Sequence, residues 1–384
     1  MNTQTQVIDP SLLTMTLIHH GGHRAQAWWR SAVLYEYAFT VSEQPDLAAR
    51  ALPGAHSLGI DGVVLPSGGR PITASVAKEL VALHHDHDLR IIPSLAPSRA
   101  EAGMIADAQI WLEAGADGID MRSALAAHQV RDSRPFQALV ASYLDDGLLA
   151  GSMRNAADLR EHIAEHWLGH LRDDSLTDVA FHASAIRAAI TENFTTRDAL
   201  GATPAWTTTY ALYRCGPAGD SWQADRMSPQ RVRAIAMMVL ALPGAVYLLQ
   251  GEEVGMRDWA AAHDSGERTE AVLRAQRCQL DDPDSMFTHY RRLLHVRRRH
   301  NLGTGTVAWV DGLHDPQRCV QFLNRCFLMV LNTSNQRLTI PAGSNIVHAS
   351  TPVGVKMEGE RIVRPASAVM IELPPFASCE HPGS

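Results

Sequence analysis

Two kinds of residue cluster in this chain have the side chains and the spacing that chemistry at a protein site requires. The adjacent carboxylates Glu252-Glu253 follow an apolar run at 245–251, and two neighbouring carboxylates can act as an acid and a base. The segment His84-His85-Asp86-His87-Asp88 places His84 and His87 on one helical face, a spacing that suits a metal ion. A metal-free interpretation is favoured for the histidines, because they fall at the end of a predicted helix, where imidazoles suit the helix dipole and solvent.

Other reaction chemistries find little support in the spacing. A hydrolytic triad of Ser152, His182 and Asp120 has no characteristic spacing, and Ser67-Gly68-Gly69-Arg70 is too short for a phosphate-binding loop. The five cysteines are scattered without metal-ligand spacing, which is typical of reduced thiols. We therefore expect no metal and no cofactor.

Composition and charge bound the class of protein. The 384 residues are 46% hydrophobic and 20% charged, typical of a soluble globular protein with room for one barrel and a small second domain. The net charge of −7 argues against nucleic acid as a main partner. The sequence shows no apolar run of about 18 residues and no secretory signal, so we expect a cytoplasmic protein without a membrane partner. The arginines at 291–292 and 297–299 are interpreted as a solvated helix face.

Short apolar runs alternate with amphipathic helical patterns over most of the chain. Eight strand candidates lie at 32–39, 60–66, 89–95, 115–121, 147–151, 177–182, 204–210 and 245–251. Eight strand–helix units in order predict an α/β fold, a (β/α)8 TIM barrel, with an open doubly wound sheet as the alternative. Beyond the predicted helix 284–300, short strands separated by turn residues predict a small C-terminal antiparallel β-sandwich domain. The expected organisation is a peripheral N-terminal extension at 1–27, the barrel at 28–302 and the β-domain at 303–384.

Three motifs carry a resemblance to a known family: Trp-Trp-Arg-Ser-Ala-Val-Leu-Tyr at 28–35, Leu-Pro-Gly-Ala-Val-Tyr-Leu-Leu-Gln-Gly-Glu-Glu-Val-Gly-Met at 242–256, and Tyr-Arg-Arg-Leu-Leu-His-Val-Arg at 290–297. Together they resemble the α-amylase superfamily, glycoside hydrolase family 13, in its α-glucosidase, oligo-1,6-glucosidase and trehalose synthase branch. The resemblance implies a structural role for Glu252-Glu253. It also implies that the domain inserted after the third strand is absent here, and that the barrel mouth is shallow and open.

The same resemblance implies that most catalytic positions have been replaced. Asp120 stands at the nucleophile position, without the arginine that usually orients that carboxylate, and Ser152 stands where the family has its acid. The other replaced or ligand-binding positions are Ser94, Ser98 and Arg99 at the end of the third strand, and Tyr210 and Leu212 at the end of the seventh. Arg99, Ser98 and Tyr210 are candidates for binding a small molecule.

Three functions remain open at this point. The favoured hypothesis is a catalytically inactive α-glucosidase-like protein that binds a small carbohydrate or sugar-like ligand and has a binding or regulatory role in carbohydrate metabolism. One alternative is a weak or redirected glycoside hydrolase or glucosyltransferase that uses Asp120. The other is a non-catalytic subunit whose barrel mouth, with Met153, Leu212 and Tyr213, packs against an active paralogue or a second copy of the chain.

Overall fold

The computed structural model describes residues 7–21, 27–96, 100–121, 132–152, 168–172, 175–177, 179–208, 228–256, 265–356 and 359–374. In these ranges the strands are β1 Thr14–His19, β2 Val33–Glu36, β3 Gly62–Pro66, β4 Arg90–Ser94, β5 Gly118–Asp120, β6 Leu148–Ser152, β7 His170–Arg172, β8 Ala205–Thr207, β9 Ala245–Leu249, β10 Val307–Asp311, β11 Cys319–Asn324, β12 Phe327–Asn332, β13 Leu338–Ile340, β14 Asn345–Ala349, β15 Gly354–Val355, β16 Arg361–Val363 and β17 Ser367–Glu372. The helices are α1 Asp46–Leu58, α2 Ala74–His85, α3 Glu101–Ala114, α4 Arg134–Tyr143, α5 Ala183–Leu200, α6 Pro229–Ala241, α7 Ser265–Gln279 and α8 Met286–Arg299.

Strands β2 to β9 form one parallel sheet, which confirms the predicted barrel. The hydrogen-bonded order is β7-β6-β5-β4-β3-β2-β9-β8, and the end strands β7 and β8 also contact each other, so the sheet is a near-closed barrel. These strands are buried on both faces, as is typical of a parallel sheet covered by helices. An inner apolar cluster, which includes Leu34, Ile92 and Leu148, fills the barrel below its carboxyl end.

The predicted sixth barrel strand at 177–182 is wrong. That strand is β7, His170–Arg172, and the predicted segment instead contains the end of a short 3-10 turn and leads into α5. In a parallel barrel strand the side chains alternate between the interior and the helix layer. In β7 the two alternating inward positions carry a histidine and an arginine, so the strand has no apolar pattern by which to detect it.

The second unit is an antiparallel β-domain, as predicted. A six-stranded sheet with the order β1-β10-β11-β12-β17-β14 faces the three-stranded sheet β13-β16-β15. Alternate residues of β12 pack into two different hydrophobic cores. Leu328 and Val330 pack with the small sheet, whereas Met329 and Leu331 pack with the barrel helices. This period of two explains why all six residues of β12 are buried.

The N-terminal segment contributes a strand to this C-terminal sheet. Strand β1 pairs antiparallel with β10, with Thr14 opposite Asp311 and Leu17 opposite Ala308. The sequence had suggested only a peripheral extension here, because β1 is an edge strand whose first four residues are exposed and therefore lack a buried apolar face. The two ends of the described chain are thus held in one sheet. None of the described helices combines the length and the hydrophobicity that a membrane span requires.

Candidate functional site

Four adjacent barrel strands bring polar side chains to the carboxyl end of the barrel interior. Ser94 on β4 is in register with Asp120 on β5, and Ser152 on β6 is in register with Arg172 on β7. Ser94 and Ser152 follow, by two residues, Ile92 and Ala150 of the inner apolar cluster, so both serines also face inward. All four residues are buried. The alternation of side chains along the strands therefore gathers one polar layer above an apolar one.

Arg172 holds two carboxylates within this layer. Its Nη2 atom donates to Oδ2 of Asp120 at 2.8 Å, and its Nη1 atom donates to Oε2 of Glu36, at the end of β2, at 2.7 Å. The side chains of Arg172 and Asp120 are almost completely buried, and that of Glu36 is 19% exposed. Burial alone would lower the pKa of Arg172, but the charges of Asp120 and Glu36 raise it above its ordinary value. A guanidinium that stays protonated favours the ionised form of both carboxylates.

Two neutral side chains, Tyr247 and His170, lie next to the guanidinium group of Arg172. The Tyr247 ring lies 3.9 Å from the guanidinium carbon of Arg172, a cation–π contact. His170 Nδ1 is 2.8 Å from the Tyr247 hydroxyl, and its Nε2 is 2.9 Å from the Trp29 carbonyl oxygen. Burial lowers the pKa of His170 to about 3. The imidazole is therefore neutral; Nε2–H donates to the carbonyl, and Nδ1 accepts from the tyrosine hydroxyl.

Sequence reasoning missed Arg172, Glu36 and Tyr247. The motif arginine that the resemblance expects on the strand of Asp120 is absent from β5, but a guanidinium from β7 contacts Asp120 instead. Glu36 ends the first barrel strand, directly after the motif residue Tyr35. It lies two residues after the inward-facing Leu34, and this spacing could have identified it as an inward-facing carboxylate. Of the other predicted site residues, Ser98, Arg99, Tyr210 and Leu212, like Met153 and Tyr213, lie outside the described part of the chain.

One unpaired hydroxyl group also faces this region. Thr207, which ends β8, is 3% exposed, and its Oγ1 has no hydrogen-bond partner among the described residues. It follows Ala205, a member of the inner apolar cluster, by two residues, so its side chain also points into the barrel. A buried hydroxyl without a partner is costly unless something else satisfies it. Together with Ser94 and Ser152, Thr207 offers small hydroxyl-bearing side chains around the charged cluster.

Glu252 and Glu253 lie elsewhere and have structural partners. Glu253 accepts hydrogen bonds from the Tyr35 hydroxyl at 2.7 Å and from Gln276 at 2.8 Å. Glu252 accepts from the Tyr290 hydroxyl. Burial raises the pKa of Glu252 to about 7 and also raises that of Glu253. These bonds tie the turn after β9 to β2, α7 and α8, so the pair anchors helices and is not part of the Asp120 cluster.

The histidines at the C-terminal end of α2 have separate surroundings. His84 is fully buried, with Nδ1 2.7 Å from the Leu80 carbonyl and Nε2 3.2 Å from the Tyr37 hydroxyl. Burial lowers its pKa to about 4, so it is a neutral core residue; the expectation that it faces solvent is wrong. Across the ranges that the structure describes, no three His, Cys, Asp or Glu side chains lie close enough to hold a metal ion.

No protein-family model matches the sequence, and no curated protein matches it either. Solved structures do match the fold. An α-amylase from H. orenii superposes with a TM-score of 0.65 at 14% identity, covering 89% of this chain and 99% of that chain. An isomaltulose synthase mutant from Erwinia rhapontici NX5 in complex with D-glucose gives a TM-score of 0.64 at 12% identity, covering 91% of this chain and 100% of that chain.

A debranching enzyme from Nostoc punctiforme, soaked with acarbose, gives a TM-score of 0.63 at 12% identity over 92% of this chain and 100% of that chain. At these identities the likeness establishes the fold, a near-closed parallel barrel with an antiparallel β-domain, that is found in α-amylase-family enzymes.

Proposed function

We propose that this chain is a cytoplasmic, degenerate relative of the α-amylase-family enzymes that does not hydrolyse glycosides. Its role would be to bind a small carbohydrate or sugar-like ligand, as a regulatory component of carbohydrate metabolism. The observation that carries this proposal is the single guanidinium of Arg172 shared by Asp120 and Glu36. The fold shared with carbohydrate-active enzymes supports the ligand class.

The shared arginine argues against acid–base chemistry at this cluster. Retaining glycoside hydrolysis needs one ionised carboxylate and one protonated carboxylic acid. A permanently charged guanidinium between Asp120 and Glu36 favours two anions, so neither is ready to donate a proton to a glycosidic oxygen. Ser152, at the position of the family's acid, has a hydroxyl that cannot do so either. Loss of a positioned general acid costs about 10²–10⁴ in rate.

A turnover assay tests this proposal directly. Wild type, Asp120→Asn and Glu36→Gln are incubated with an aryl α-glucoside, maltose and trehalose. We expect no turnover above the uncatalysed background in any of the three proteins. Wild-type turnover that both substitutions abolish would overturn the proposal.

The binding half of the proposal has its own test, in which Thr207→Val is the probe. Valine has nearly the shape of threonine and removes a hydroxyl that has no partner in the described structure, so the unliganded protein should keep its stability. A sugar that binds at the barrel mouth raises the melting temperature of the wild type. We expect this rise with glucose, maltose or trehalose, and a smaller rise in Thr207→Val. If none of the sugars shifts the wild type, the carbohydrate ligand is excluded.

A redirected hydrolase or glucosyltransferase is the second candidate, and one observation favours it. Glu36 is a carboxylate that shares its arginine with Asp120, which supplies the second acidic group that such chemistry requires. This candidate predicts the opposite result in the same turnover assay. A non-catalytic subunit that docks through the barrel mouth is a further alternative, but the residues that would form that surface lie outside the described ranges.

A further inference from the structure

Helix α8 concentrates positive charge in an acidic protein. Its fourteen residues include five arginines and no carboxylate, although the whole chain has a net charge of −7. The structure separates these arginines into groups with different roles. Arg297 is buried and donates to the carbonyl oxygens of Leu240 and Leu242, so it joins α8 to the end of α6. The other arginines are not core residues, and three of them share one cleft.

The cleft lies between the barrel and the β-domain and has a volume of about 500 Å³. Helix α8 lines it with Arg291, Arg292, His295 and Arg298, and His348 of β14 lines the opposite side. Residues three and four apart lie on one helical face, which explains why His295 joins the arginines on each side of it. None of the described residues that line the cleft is acidic. The end of α1 closes the cleft with small and apolar residues.

The arginines are held by backbone oxygens and keep donors available. Arg291 donates from Nε to the Ser57 carbonyl at 3.2 Å, and Arg292 donates from Nη1 to the Pro283 carbonyl at 3.2 Å. Only Arg298 forms an ion pair, with Asp61 at 2.8 Å. Within the described ranges neither Arg291 nor Arg292 contacts a carboxylate. Two neighbouring guanidinium groups with unused N–H donors are an arrangement that recognises a planar or tetrahedral oxyanion.

His348, on the side of the cleft opposite α8, is close enough to Arg292 for that positive charge to lower its pKa. Burial, Arg292 and Arg233 lower the pKa of His348 to about 4. The imidazole of His348 is therefore neutral at pH 7, and the positive charge of the cleft comes from its arginines. A cleft of this volume is within the range of small-molecule sites, which leaves room for more than the anionic group itself.

We propose that this cleft binds the phosphate group of a small phosphorylated molecule, with Arg291 and Arg292 as the two anion-binding side chains. The site is separate from the Asp120 cluster and does not rest on the function proposed for the barrel mouth. The phosphate oxygens accept hydrogen bonds from the two guanidinium groups, and the remaining volume holds the organic part.

The experiment measures binding to the full chain by titration calorimetry in about 150 mM salt, which screens diffuse surface attraction. The probes are inorganic phosphate, glucose 6-phosphate and unphosphorylated glucose. The variants are Arg291→Gln/Arg292→Gln and, as a matched control, Arg299→Gln, an exposed arginine on the same helix that does not line the cleft. Since each hydrogen bond to a charged group contributes about 1.5–3 kcal/mol, the double variant should bind glucose 6-phosphate at least about tenfold more weakly.

Wild-type affinity in Arg299→Gln, with the loss confined to the double variant, supports the site. Equal affinity for inorganic phosphate and glucose 6-phosphate also supports it and identifies phosphate as the recognised group. Absence of binding in the wild type, or an equal loss in Arg299→Gln and the double variant, overturns the proposal. Thermal unfolding without ligand checks that the double variant is folded, and Arg292→Gln alone repeats the test if it is not. Asp120→Asn should leave this binding unchanged, which separates this test from that of the barrel mouth.

Discussion

At the level of single residues, Arg172 is the group on which the barrel centre depends. A buried charge is tolerated only when its partners compensate the cost of removing it from water, and here the compensation is mutual. Asp120 and Glu36 satisfy both terminal nitrogens of the guanidinium, and the Tyr247 ring covers its face. Arg172 therefore couples the two carboxylates, and removing any one of the three changes the environment of the other two.

Replacing Arg172 with methionine should destabilise the protein by about 3–5 kcal/mol, because it removes the guanidinium that Asp120 and Glu36 share in the barrel interior. The free energy of unfolding in urea at pH 7 measures the loss. Adding Asp120→Asn and Glu36→Gln to Arg172→Met should restore much of it, since the two charges that Arg172 compensates are then removed as well. The matched control is Lys356→Met, which breaks an exposed ion pair with Glu360 and should cost less than about 1 kcal/mol. A loss as small as that of the control would contradict this account of the cluster.

At the level of elements, the backbone of β5 leaves no space for a side chain below Asp120. A Cβ atom at Gly118 would lie 2.3 Å from the Leu148 carbonyl oxygen and 2.8 Å from the Leu148 Cβ atom. Gly118 and Leu148 are paired across β5 and β6, so neither atom can move without shifting a barrel strand. The glycine in Asp117-Gly118-Ile119-Asp120 is therefore required by the close approach of the two strands.

Gly118→Ala should destabilise the protein by about 1–3 kcal/mol, the usual cost of forcing extra volume into a packed core. Gly354→Ala on β15 is the control, because its new Cβ would meet Ile362 at an ordinary contact distance of 3.4 Å. Chemical denaturation of both variants beside the wild type gives the comparison. If Gly118→Ala were as stable as Gly354→Ala, β5 and β6 would have moved apart without a cost in unfolding free energy, and this account of Gly118 would be wrong.

The barrel strands differ in how clearly their residues predict a strand, and the reason is physical. Seven of the eight predicted barrel strands overlap observed ones, because apolar runs such as that of β3 are long enough to show burial on both faces. Strand β7 could not be found in this way, since it has three residues and the two that face inward, His170 and Arg172, are polar. Because β7 was not predicted, Arg172 was not identified as the partner of Asp120. A site that depends on a contact between distant strands leaves no local pattern in the sequence.

At the level of the whole molecule, the β-domain is joined to the barrel by polar contacts as well as by apolar packing. Arg233 of α6 donates from Nε to the Ser350 carbonyl at 2.8 Å. His289 of α8 and His348 of β14 share a hydrogen bond of 2.8 Å, and His289 Nε2 lies 3.1 Å from the Arg233 carbonyl. A carbonyl only accepts, so His289 donates from Nε2 and accepts from His348 at Nδ1. The bond between the two rings is lost when both are protonated, because neither ring then has an acceptor nitrogen.

This histidine pair makes the contact between the two domains sensitive to acid. Burial, Arg292 and Arg233 lower the pKa of His348 to about 4, and burial and His348 lower that of His289 well below its ordinary value. An unfolded histidine has a pKa of about 6.5, so between pH 6.5 and 4 the unfolded chain binds a proton that the folded chain does not. Stability therefore falls as the pH decreases below 6.5, and His348 alone should account for about 2 kcal/mol at pH 5.

Urea denaturation at pH 7.5 and pH 5.0 tests this with His348→Asn and, as the control, His182→Asn, whose histidine is exposed. The difference in unfolding free energy between the two pH values should shrink by about 2 kcal/mol in His348→Asn and stay at the wild-type value in His182→Asn. An unchanged pH dependence in His348→Asn would mean that the domain contact is not a site of acid sensitivity. The acid loss would then have to come from other histidines whose pKa burial lowers, such as His84, His170 and His289.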